Sequence, residues 1–452
     1  MLTYVRTDAI ITEKAKSDPK GLKLMKISVE TEELGKYDVV VVGGGPAGIA
    51  AALSAAEQGA DTVIIERAGT VGGNLTLGHV APLMGDYREN TMADEINRLL
   101  KPGMSPNLVH DFEYAKAALA KLLADRGVSV KLNCAVSAAV TENGRITAVV
   151  FGTQNGLASV SGKVFVDATG DGVLSHLVGE KIMIGREDGR CQPLSVMFTI
   201  CGIEKGRQII CKHEEMDTPL PCGIGYLELC RRACRSGELP ETVNIVRLYD
   251  SVYEDEQMVN ATQANGYDSL DTDSYTAAQV DLRSQVYKVV SFLRNNIDGY
   301  KNIRVKDSSD IVGVRESRRV LGKYLLTAED LIAGRKFCDV VVHDACFSID
   351  IHNPSGAGQS ESEGLPQQAK PYDIPYRSLV PTVSANLLLA GRCISGTHRA
   401  HASYRVMNIC LNVGQAAGIA AAICAAEGIS PSELAPEKVQ SVLEKKGIDL
   451  GR

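Results

Sequence analysis

Residues 37–66 place a strand, a glycine-rich turn, a helix and a second strand in direct succession. The apolar run YDVVVV has the length of a buried strand, GGGPAG follows at once, and an alanine-rich helical stretch continues to Ala60. The segment DTVIIER then repeats the pattern of a buried strand. This succession predicts a βαβ unit, and it restricts the chain to an α/β fold built on a parallel sheet.

The glycine turn has the spacing that a dinucleotide requires. Gly43 permits a tight turn out of the strand, Gly45 lets the backbone approach a pyrophosphate, and Gly48 lets the helix pack on the sheet. The phosphates would meet free N–H groups at the positive end of the helix dipole. Glu66, at the end of the second strand, is placed to accept hydrogen bonds from ribose hydroxyls. We therefore predict a dinucleotide site, with a purely structural glycine turn as the alternative.

NAD and FAD share this fingerprint, and the turns that follow it favour FAD. A second glycine turn, ERAGTVGG, lies just past the acid, near the expected path of the ribityl chain. Later, VFVDATGDG and NLLLAGRC each end a strand with small residues. We expect Gly414, Gln415 and Ala416 to open the last helix and to direct its positive end towards the flavin pyrimidine. Close helix packing is the alternative interpretation of these small residues.

The composition excludes several classes of function. Of the 452 residues, 48 are Lys or Arg and 55 are Asp or Glu, so the net charge of -7 provides no positive field for nucleic acid. No run reaches the roughly 18 apolar residues of a membrane span. The twelve cysteines form no disulfide framework, and the N-terminal segment lacks a signal-peptide pattern. We expect a cytoplasmic protein with reduced thiols and without nucleic-acid or membrane partners.

The chain divides into an interrupted cofactor domain and an inserted domain. We predict an N-terminal extension over 1–36, the FAD-binding domain over 37–175 and 376–452, and a substrate or cap domain over 176–375. ENG and QNG turns predict a β-meander in the first of these segments. A helix is expected over 276–296. Weak alternation over 3–12 and 22–29 predicts a hairpin, or an arm that contacts another subunit.

Eight motifs in order carry a family resemblance: DVVVVGGGPAGIAAA, IIERAGTVGGNLTLG, VFVDATGDG, GVRESRRVLGKYLLTAEDL, SIDIHNPSG, YDIPYRSLVP, NLLLAGRCISGTH and VGQAAGIAAA. The chain resembles the FAD-dependent oxidoreductases of the glutathione-reductase-like flavoprotein superfamily, in particular a bacterial group of mostly unassigned substrate. The resemblance implies a Rossmann-like FAD-binding domain, three-layer ββα with a β-meander, plus an inserted α+β substrate domain. The candidate cofactor-binding residues are Gly43, Gly45, Pro46, Ala47, Gly48, Glu66, Arg67, Gly72, Gly73, Asn74, Thr76, Val136, Ala168, Thr169, Gly170, Asp171, Gly391, Arg392, Gly414, Gln415 and Ala416.

A flavin carries the redox chemistry, so the protein must supply a proton-transfer group and orient the substrate. The segment CISGTHRAHASYR holds the densest set of suitable side chains beside an expected flavin turn. His398 is the first candidate for a general acid or base, because imidazole titrates near neutral pH, and His401 is the second. His352 is placed to face the flavin across the cleft. Each of them could instead be a hydrogen-bonded structural histidine.

Two arginines are candidates for binding the substrate. Arg405 and Arg377 could clamp a carboxylate or carbonyl through their planar fork. Ion pairs with acids such as Asp373 are an equally ordinary expectation. Arg315, in GVRESRR, is a minor candidate for the cleft.

Cysteine, metal and covalent chemistry are disfavoured. The cysteines between 191 and 234 lack the tight CxxC runs of iron–sulfur sites, and no CxxxxC pair follows the βαβ unit. We expect no metal site. His79 and Cys393 are candidates for a covalent link to the flavin, an interpretation that we disfavour.

A single glycine fingerprint is followed by an acid, so we expect no separate NAD(P)H domain. Electrons would come from the substrate, from NAD(P)H that visits transiently, or from a partner protein. The main hypothesis is hydride transfer between flavin N5 and a small polar, oxygenated substrate in the interdomain cleft of a homo-oligomer. The alternative is a flavin-bearing electron-transfer subunit that acts with a partner protein. An RNA-modifying flavoprotein is disfavoured by the acidic balance.

Overall fold

The computed structural model describes residues 30–105, 107–212, 217–358 and 367–452. The strands are β1 (Glu32–Val42), β2 (Thr62–Ile65), β3 (Ser129–Lys131), β4 (Val136–Glu142), β5 (Arg145–Thr153), β6 (Gly156–Asp167), β7 (Ile182–Ile184), β8 (Phe198–Cys201), β9 (Arg247–Asp250), β10 (Glu256–Asn260), β11 (Arg304–Ser308), β12 (Arg318–Val320), β13 (Val340–Ala345), β14 (Tyr372–Pro375) and β15 (Leu387–Leu389). The α-helices are α1 (Pro46–Glu57), α2 (Met92–Leu100), α3 (Phe112–Asp125), α4 (Val173–Leu177), α5 (Tyr226–Ser236), α6 (Thr272–Asn296), α7 (Ala328–Ala333), α8 (His398–Tyr404), α9 (Met407–Glu427) and α10 (Pro436–Lys445).

The main sheet has the strand order β3-β2-β1-β6-β5-β4, and β15 also pairs with β6. The end of β1 pairs in parallel with β2 on one side and with the end of β6 on the other. The apolar run that forms it is buried on both faces, as is usual in parallel sheets. Antiparallel pairing of β4, β5 and β6 forms the meander. The predicted βαβ unit and the α/β fold are confirmed.

The boundary that we predicted after residue 36, at the end of the N-terminal extension, lies inside β1, which already begins at Glu32. The start of β1 pairs with β6 from Ala158 to Ser161, with a register shift between Glu33 and Lys36. Over these residues one edge of β6 pairs with β5. The other edge of β6 is not occupied by β5, and it pairs with the first residues of β1. The alternating stretches over 3–12 and 22–29 lie outside the described residues.

α1 and α9 pack closely in the main core, and glycines on α9 allow the approach. A Cβ atom added to Gly414 would overlap the backbone carbonyl oxygen of Ala47, and one added to Gly418 would overlap that of Ala51. α9 is long and apolar enough to cross a membrane by length and composition, yet 89% of its apolar window is buried within the structure. Packing in the core accounts for its apolar character.

The start of α9 corrects the predicted role of its glycine segment. The helix begins at Met407, seven residues before Gly414. Gly414, Gln415 and Ala416 are buried in the helix and do not open it. The alternative interpretation of these small residues, close helix packing, is therefore the one that the structure supports.

A second core lies between Leu194 and Val314. It is built on the sheet β11-β8-β10-β9, and the buried residues of α5 and α6 contribute to it. α6 contains the helix predicted over 276–296. The segment from Val320 to Ile374, which the sequence division assigns to the inserted domain, packs in the main core instead. The reason is that β13 lies against α9 and α10.

Candidate functional site

Three adjoining cavities extend from the carboxyl ends of β1, β2 and β6, where open α/β sheets bind ligands. We name each by a residue that lines it alone: the Val136 cavity of about 620 Å³, the Gly45 cavity of about 840 Å³ and the Arg315 cavity of about 640 Å³. The first two cavities share Gly43, Glu66, Arg67 and Thr169. The last two share Asn74, Val314, Arg392, Arg405 and Met407. The three therefore form one continuous row.

The amino end of α1 opens into the Gly45 cavity. Gly45 is the N-cap residue, with φ -72° and ψ -174°, and no side chain caps the first turn. A Cβ atom added to Gly45 would meet no protein atom within 4 Å. The helix thus presents unblocked N–H groups and its positive dipole end to open space, which fits the diphosphate of a dinucleotide.

Glu66 lies where the Val136 and Gly45 cavities meet. Its carboxylate accepts hydrogen bonds from the backbone N–H of Gly44 at 2.6 Å and of Ala68 at 2.8 Å. These two bonds hold the side chain, which is 7% exposed, at the end of β2. This fits the predicted role of Glu66 as an acceptor for ribose hydroxyls.

Arg392 joins the turn after β6 to the segment after β15. Its Nε donates to the carbonyl oxygen of Gly170 at 2.9 Å, and its Nη2 donates to Asp171 Oδ1 at 2.6 Å. Burial raises the pKa of Asp171, but Arg392, Arg67 and a hydrogen bond from Ser317 together hold it below its usual value. The pair fixes the Arg392 side chain on the wall shared by the Gly45 and Arg315 cavities.

Most of the predicted cofactor residues line the row of cavities. Those that line the Gly45 cavity are Gly43, Gly45, Pro46, Ala47, Glu66, Arg67, Gly73, Asn74, Ala168, Thr169, Gly170, Gly391 and Arg392. Val136 and Asp171 line the Val136 cavity. The remaining predicted cofactor residues lie behind the cavity walls and contact other parts of the protein. Thr76 Oγ1 donates to the carbonyl oxygen of Val71 at 2.7 Å, and Gln415 Oε1 accepts from the N–H of Met92 at 3.1 Å.

Gly48 and Gly72 also lie behind the walls of the row. A Cβ atom on Gly48 would overlap the carbonyl oxygen of Gly43. Gly72 has a φ of 107°, and its N–H donates to the carbonyl oxygen of Gly44 at 2.7 Å. Both residues therefore shape the turns that surround the Gly45 cavity.

The Arg315 cavity combines charged groups with an apolar wall. Its charged residues are Arg315, Asp350, Arg392 and Arg405. Its apolar residues are Val80, Met84, Met197, Val314, Phe347, Val406 and Met407. Arg405 Nη2 donates to Asp350 Oδ2 at 3.2 Å and to the Asp350 carbonyl oxygen at 3.0 Å. A cavity of this kind can orient a small polar molecule.

The predicted catalytic histidines lie outside the walls of this row. His398 Nδ1 is 2.8 Å from Glu316, and the residue lines a separate cavity with Arg319 and Thr397. Burial, followed by the charge of Arg319, lowers the pKa of His401 well below its usual value. His352 lies behind Asp350, with Nε2 3.5 Å from Oδ2.

Burial and the charge of Arg315 lower the pKa of His352 to about 3, against the opposing influence of Asp350. Arg377 forms a two-bond ion pair with Asp339 through Nε at 2.8 Å and Nη2 at 3.1 Å, and its side chain is 46% exposed. Of the predicted catalytic residues, the structure brings Arg405 alone to the walls of the row.

Sequence reasoning missed Asp350 and much of the apolar wall. Asp350 precedes His352 by two residues in the motif SIDIHNPSG, where polar and apolar residues alternate. In an extended segment, side chains two residues apart point to the same side of the chain. This signal could have found it. Met197 and Phe347 carry no comparable local signal, because each comes from an ordinary apolar segment that the fold brings to the cavity.

Each of the twelve cysteines, all within the described residues, is a free thiol. Cys410 lines the Gly45 cavity, and burial raises the pKa of its thiol to about 12, which disfavours the thiolate needed for disulfide exchange. Cys393 Sγ donates to the carbonyl oxygens of Asp167 and Ala390. His79 stacks on Phe112 with ring centroids 4.3 Å apart. Neither of the two candidates for a covalent link lines the Gly45 cavity.

Among the described residues, one group of His and Asp side chains has the spacing of a metal site: His343, Asp344 and Asp373. Lys336 Nζ lies 3.2 Å from Asp373 Oδ1 and also contacts Asp344, and Arg88 pairs with Asp344 as well. These cations supply the charge that a metal would bring. The group is therefore a largely buried ion-pair network.

Comparisons with known proteins agree with this geometry. The family model described as FAD dependent oxidoreductase matches residues 38–443. NADH:fumarate oxidoreductase of Klebsiella pneumoniae (strain 342) is 58% identical over 38 residues, which cover 8% of this chain and 4% of that protein. Soluble pyridine nucleotide transhydrogenase of Salmonella paratyphi B is 34% identical over 83 residues, 16% of this chain and 18% of that protein.

Among solved structures, a geranylgeranyl bacteriochlorophyll reductase-like protein from Thermoplasma acidophilum superposes with a TM-score of 0.45 at 16% identity. The superposition covers 91% of this chain and 84% of that one. The family match extends over most of the chain and contains all three cavities. The chain belongs to the FAD-dependent oxidoreductase family.

Proposed function

We propose that this FAD-dependent oxidoreductase exchanges a hydride between the flavin and a small polar, oxygenated substrate in the Arg315 cavity. One observation carries the proposal: the Arg315 cavity shares five lining residues with the Gly45 cavity, whose open helix end fits a diphosphate. FAD supplies the hydride-accepting ring when it is bound. The side chains of the Arg315 cavity then orient the substrate and handle its proton.

We assign the parts of FAD to different residues along the row of cavities. The Val136 cavity would hold the adenosine end, with Glu66 at the ribose. The first turn of α1, behind Gly45, would hold the diphosphate. Asn74 and Arg392 would line the passage towards the Arg315 cavity. These assignments rest on lining residues and on the unblocked N–H groups.

Asp350 is the side chain that we propose for proton transfer. It is the acidic residue among those that line the Arg315 cavity, and it lies 3.2 Å from Arg405 and 3.5 Å from His352. The ion pair with Arg405 favours the carboxylate form, which can accept a proton from a substrate hydroxyl. This arrangement supports oxidation of an alcohol or hydroxy acid over reduction of an activated double bond.

The experiment is anaerobic reduction of the holoprotein by a panel of small alcohols, hydroxy acids and NADH. The measured signal is the loss of flavin absorbance. Asp350→Asn should slow reduction by about 100-fold or more, the usual contribution of a general base, while FAD stays bound. His398→Ala should slow it much less, because the residue lines a different cavity. Asp298→Asn, at a side chain that is 62% exposed, is the matched control.

The outcomes separate this proposal from an electron-transfer subunit. Bleaching by a small molecule, with a large effect of Asp350→Asn, supports the proposal. Bleaching that requires a reduced protein partner would contradict it. A large effect of His398→Ala with none of Asp350→Asn would return the proton-transfer role to the histidine. We also propose a cytoplasmic location, which the free thiols support.

A further inference from the structure

We propose that the substrate of the Arg315 cavity carries a carboxylate, which Arg315 and Arg405 bind together. This inference rests on the proposed function, since it names the class of molecule that the same cavity takes.

The charged side chains around the Arg315 cavity do not balance. Arg392 is paired with Asp171 at 2.6 Å, and Arg405 is paired with Asp350 at 3.2 Å. Arg315 has no such partner: within the described residues its hydrogen bond runs from Nη1 to the carbonyl oxygen of Pro193, at 2.8 Å. Counted over the described residues, the walls therefore carry one positive charge more than the ion pairs neutralise.

An uncompensated guanidinium is costly at this position, because Arg315 is only 8% exposed. Its pKa is lowered to about 9, first by burial and then by the charge of Arg405, with Asp350 opposing and Arg247 adding to the effect. An anion that enters the cavity would remove this penalty. Removal of the penalty favours a charged ligand over a neutral one of the same shape.

Arg405 is held in place to act with Arg315. Its Nη2 is fixed by Asp350, and Gln192 Oε1 lies 3.5 Å away. Its Nε is buried and has no hydrogen-bond partner in the described part of the chain. Arg405 lines both the Gly45 and the Arg315 cavities, whereas Arg315 lines the Arg315 cavity alone. Arg315 is therefore the residue that distinguishes substrate binding from cofactor binding.

The apolar wall limits the rest of the ligand. Val80, Met84 and Phe347 line the same cavity, so the body of the molecule beside the carboxylate meets apolar side chains. One unpaired guanidinium suits a single carboxylate, which its fork binds through two parallel hydrogen bonds. A phosphate dianion would bring two negative charges against the one positive charge that the ion pairs of these walls leave over. The cavity thus fits a small monocarboxylate with a short apolar body.

The test is a binding titration of the FAD-loaded protein with benzoate and with benzamide, two probes of one shape that differ in charge. Binding is read from the perturbation of the visible flavin absorbance. We expect benzoate to saturate the signal and to bind at least about tenfold more tightly than benzamide, since a hydrogen-bonded charge pair is gained. Equal binding of the two probes, no binding of either, or tighter binding of inorganic phosphate would each overturn the proposal.

Variants distinguish the contribution of Arg315 to benzoate binding from the general effect of losing one positive charge. Arg315→Met should weaken benzoate by about 10- to 100-fold, leave benzamide unchanged and retain FAD. Arg315→Lys should recover part of the loss. Arg207→Met, at a side chain that is 57% exposed, is the matched control for loss of one positive charge. Unchanged benzoate affinity in Arg315→Met would overturn the proposal, and the comparison of probes on the unaltered protein does not depend on how the variants fold.

Failure of this inference is distinguishable from failure of the proposed function. Rapid flavin reduction by an oxygenated substrate without a carboxylate would leave hydride exchange standing and overturn the anionic substrate. Tight benzoate binding in a protein that no small molecule reduces would keep the anion site and remove the proposed function.

Discussion

Gly45→Ala should separate cofactor binding from folding. The backbone of Gly45 is extended, with φ -72° and ψ -174°, a conformation that alanine adopts without strain. The added Cβ would meet no protein atom within 4 Å, because it points into the Gly45 cavity. The protein without FAD should therefore keep its stability, or gain about 0.4–1 kcal/mol from the stiffer unfolded chain.

The cost of this substitution falls on FAD. A methyl group at the mouth of α1 keeps the diphosphate from its closest approach and removes at least one N–H hydrogen bond to a charged oxygen. Such a bond contributes about 1.5–3 kcal/mol, which corresponds to an affinity for FAD about 10- to 150-fold weaker. The assay is titration of the apoprotein with FAD, read from quenching of flavin fluorescence, together with urea unfolding of the apoprotein.

Gly48→Ala provides the contrast within the same turn. Its Cβ would overlap the carbonyl oxygen of Gly43, so the turn or the helix must move. Overpacking of this kind costs about 1–3 kcal/mol of folding free energy even without FAD. Wild-type affinity for FAD in Gly45→Ala, or a loss of apoprotein stability like that of Gly48→Ala, would refute the assignment of the Gly45 cavity to the diphosphate.

Three further predictions concern packing, pH and the attachment of the flavin. Gly414→Ala should lower the free energy of unfolding in urea by about 1–3 kcal/mol, because its Cβ overlaps the carbonyl oxygen of Ala47; unchanged stability would contradict the α1–α9 packing. Burial lowers the pKa of His110 from 6.5 to about 4, so the unfolded state binds the extra proton and stability should fall as pH drops through this interval, by up to about 1.4 kcal/mol per pH unit from this group. His110→Gln should reduce that slope in urea titrations at each pH, and an unaltered slope would count against it. Denaturation should release all flavin from wild type as from His79→Ala and Cys393→Ala, and yellow colour retained by wild-type precipitate but not by one variant would identify a covalent link.

The walls of the Gly45 cavity were predictable because their determinants are local. The turn from Gly43 to Gly48 and the acid Glu66 lie within one βαβ unit, and each has a role that follows from its position in the chain. The prediction failed at Gly414 for a physical reason. Small residues serve equally well to open a helix beside a ligand and to let two helices touch, and the sequence alone does not distinguish the two uses.

The Arg315 cavity was predictable only in part, through Arg405 and the minor candidate Arg315, because its residues are far apart in the chain. Asn74, Asp350 and Arg405 adjoin residues of the main core, whereas Arg315 follows Val314 of the second core, so the cavity lies where the two cores meet. His398 illustrates the same limit. Its position beside a small-residue turn was clear from the motif, but its orientation depends on Glu316, which lies 82 residues away in the chain.

The most direct test of the central claim is the electron density of crystals grown with FAD. We predict one FAD along the row of cavities, with adenosine in the Val136 cavity, the diphosphate at the amino end of α1 beside Gly45, and the flavin ring reaching the wall that is shared with Arg315 cavity residues such as Arg392. Density for the flavin in the separate cavity beside His398 and Thr397, or at any position that leaves the amino end of α1 without phosphate, would contradict the claim.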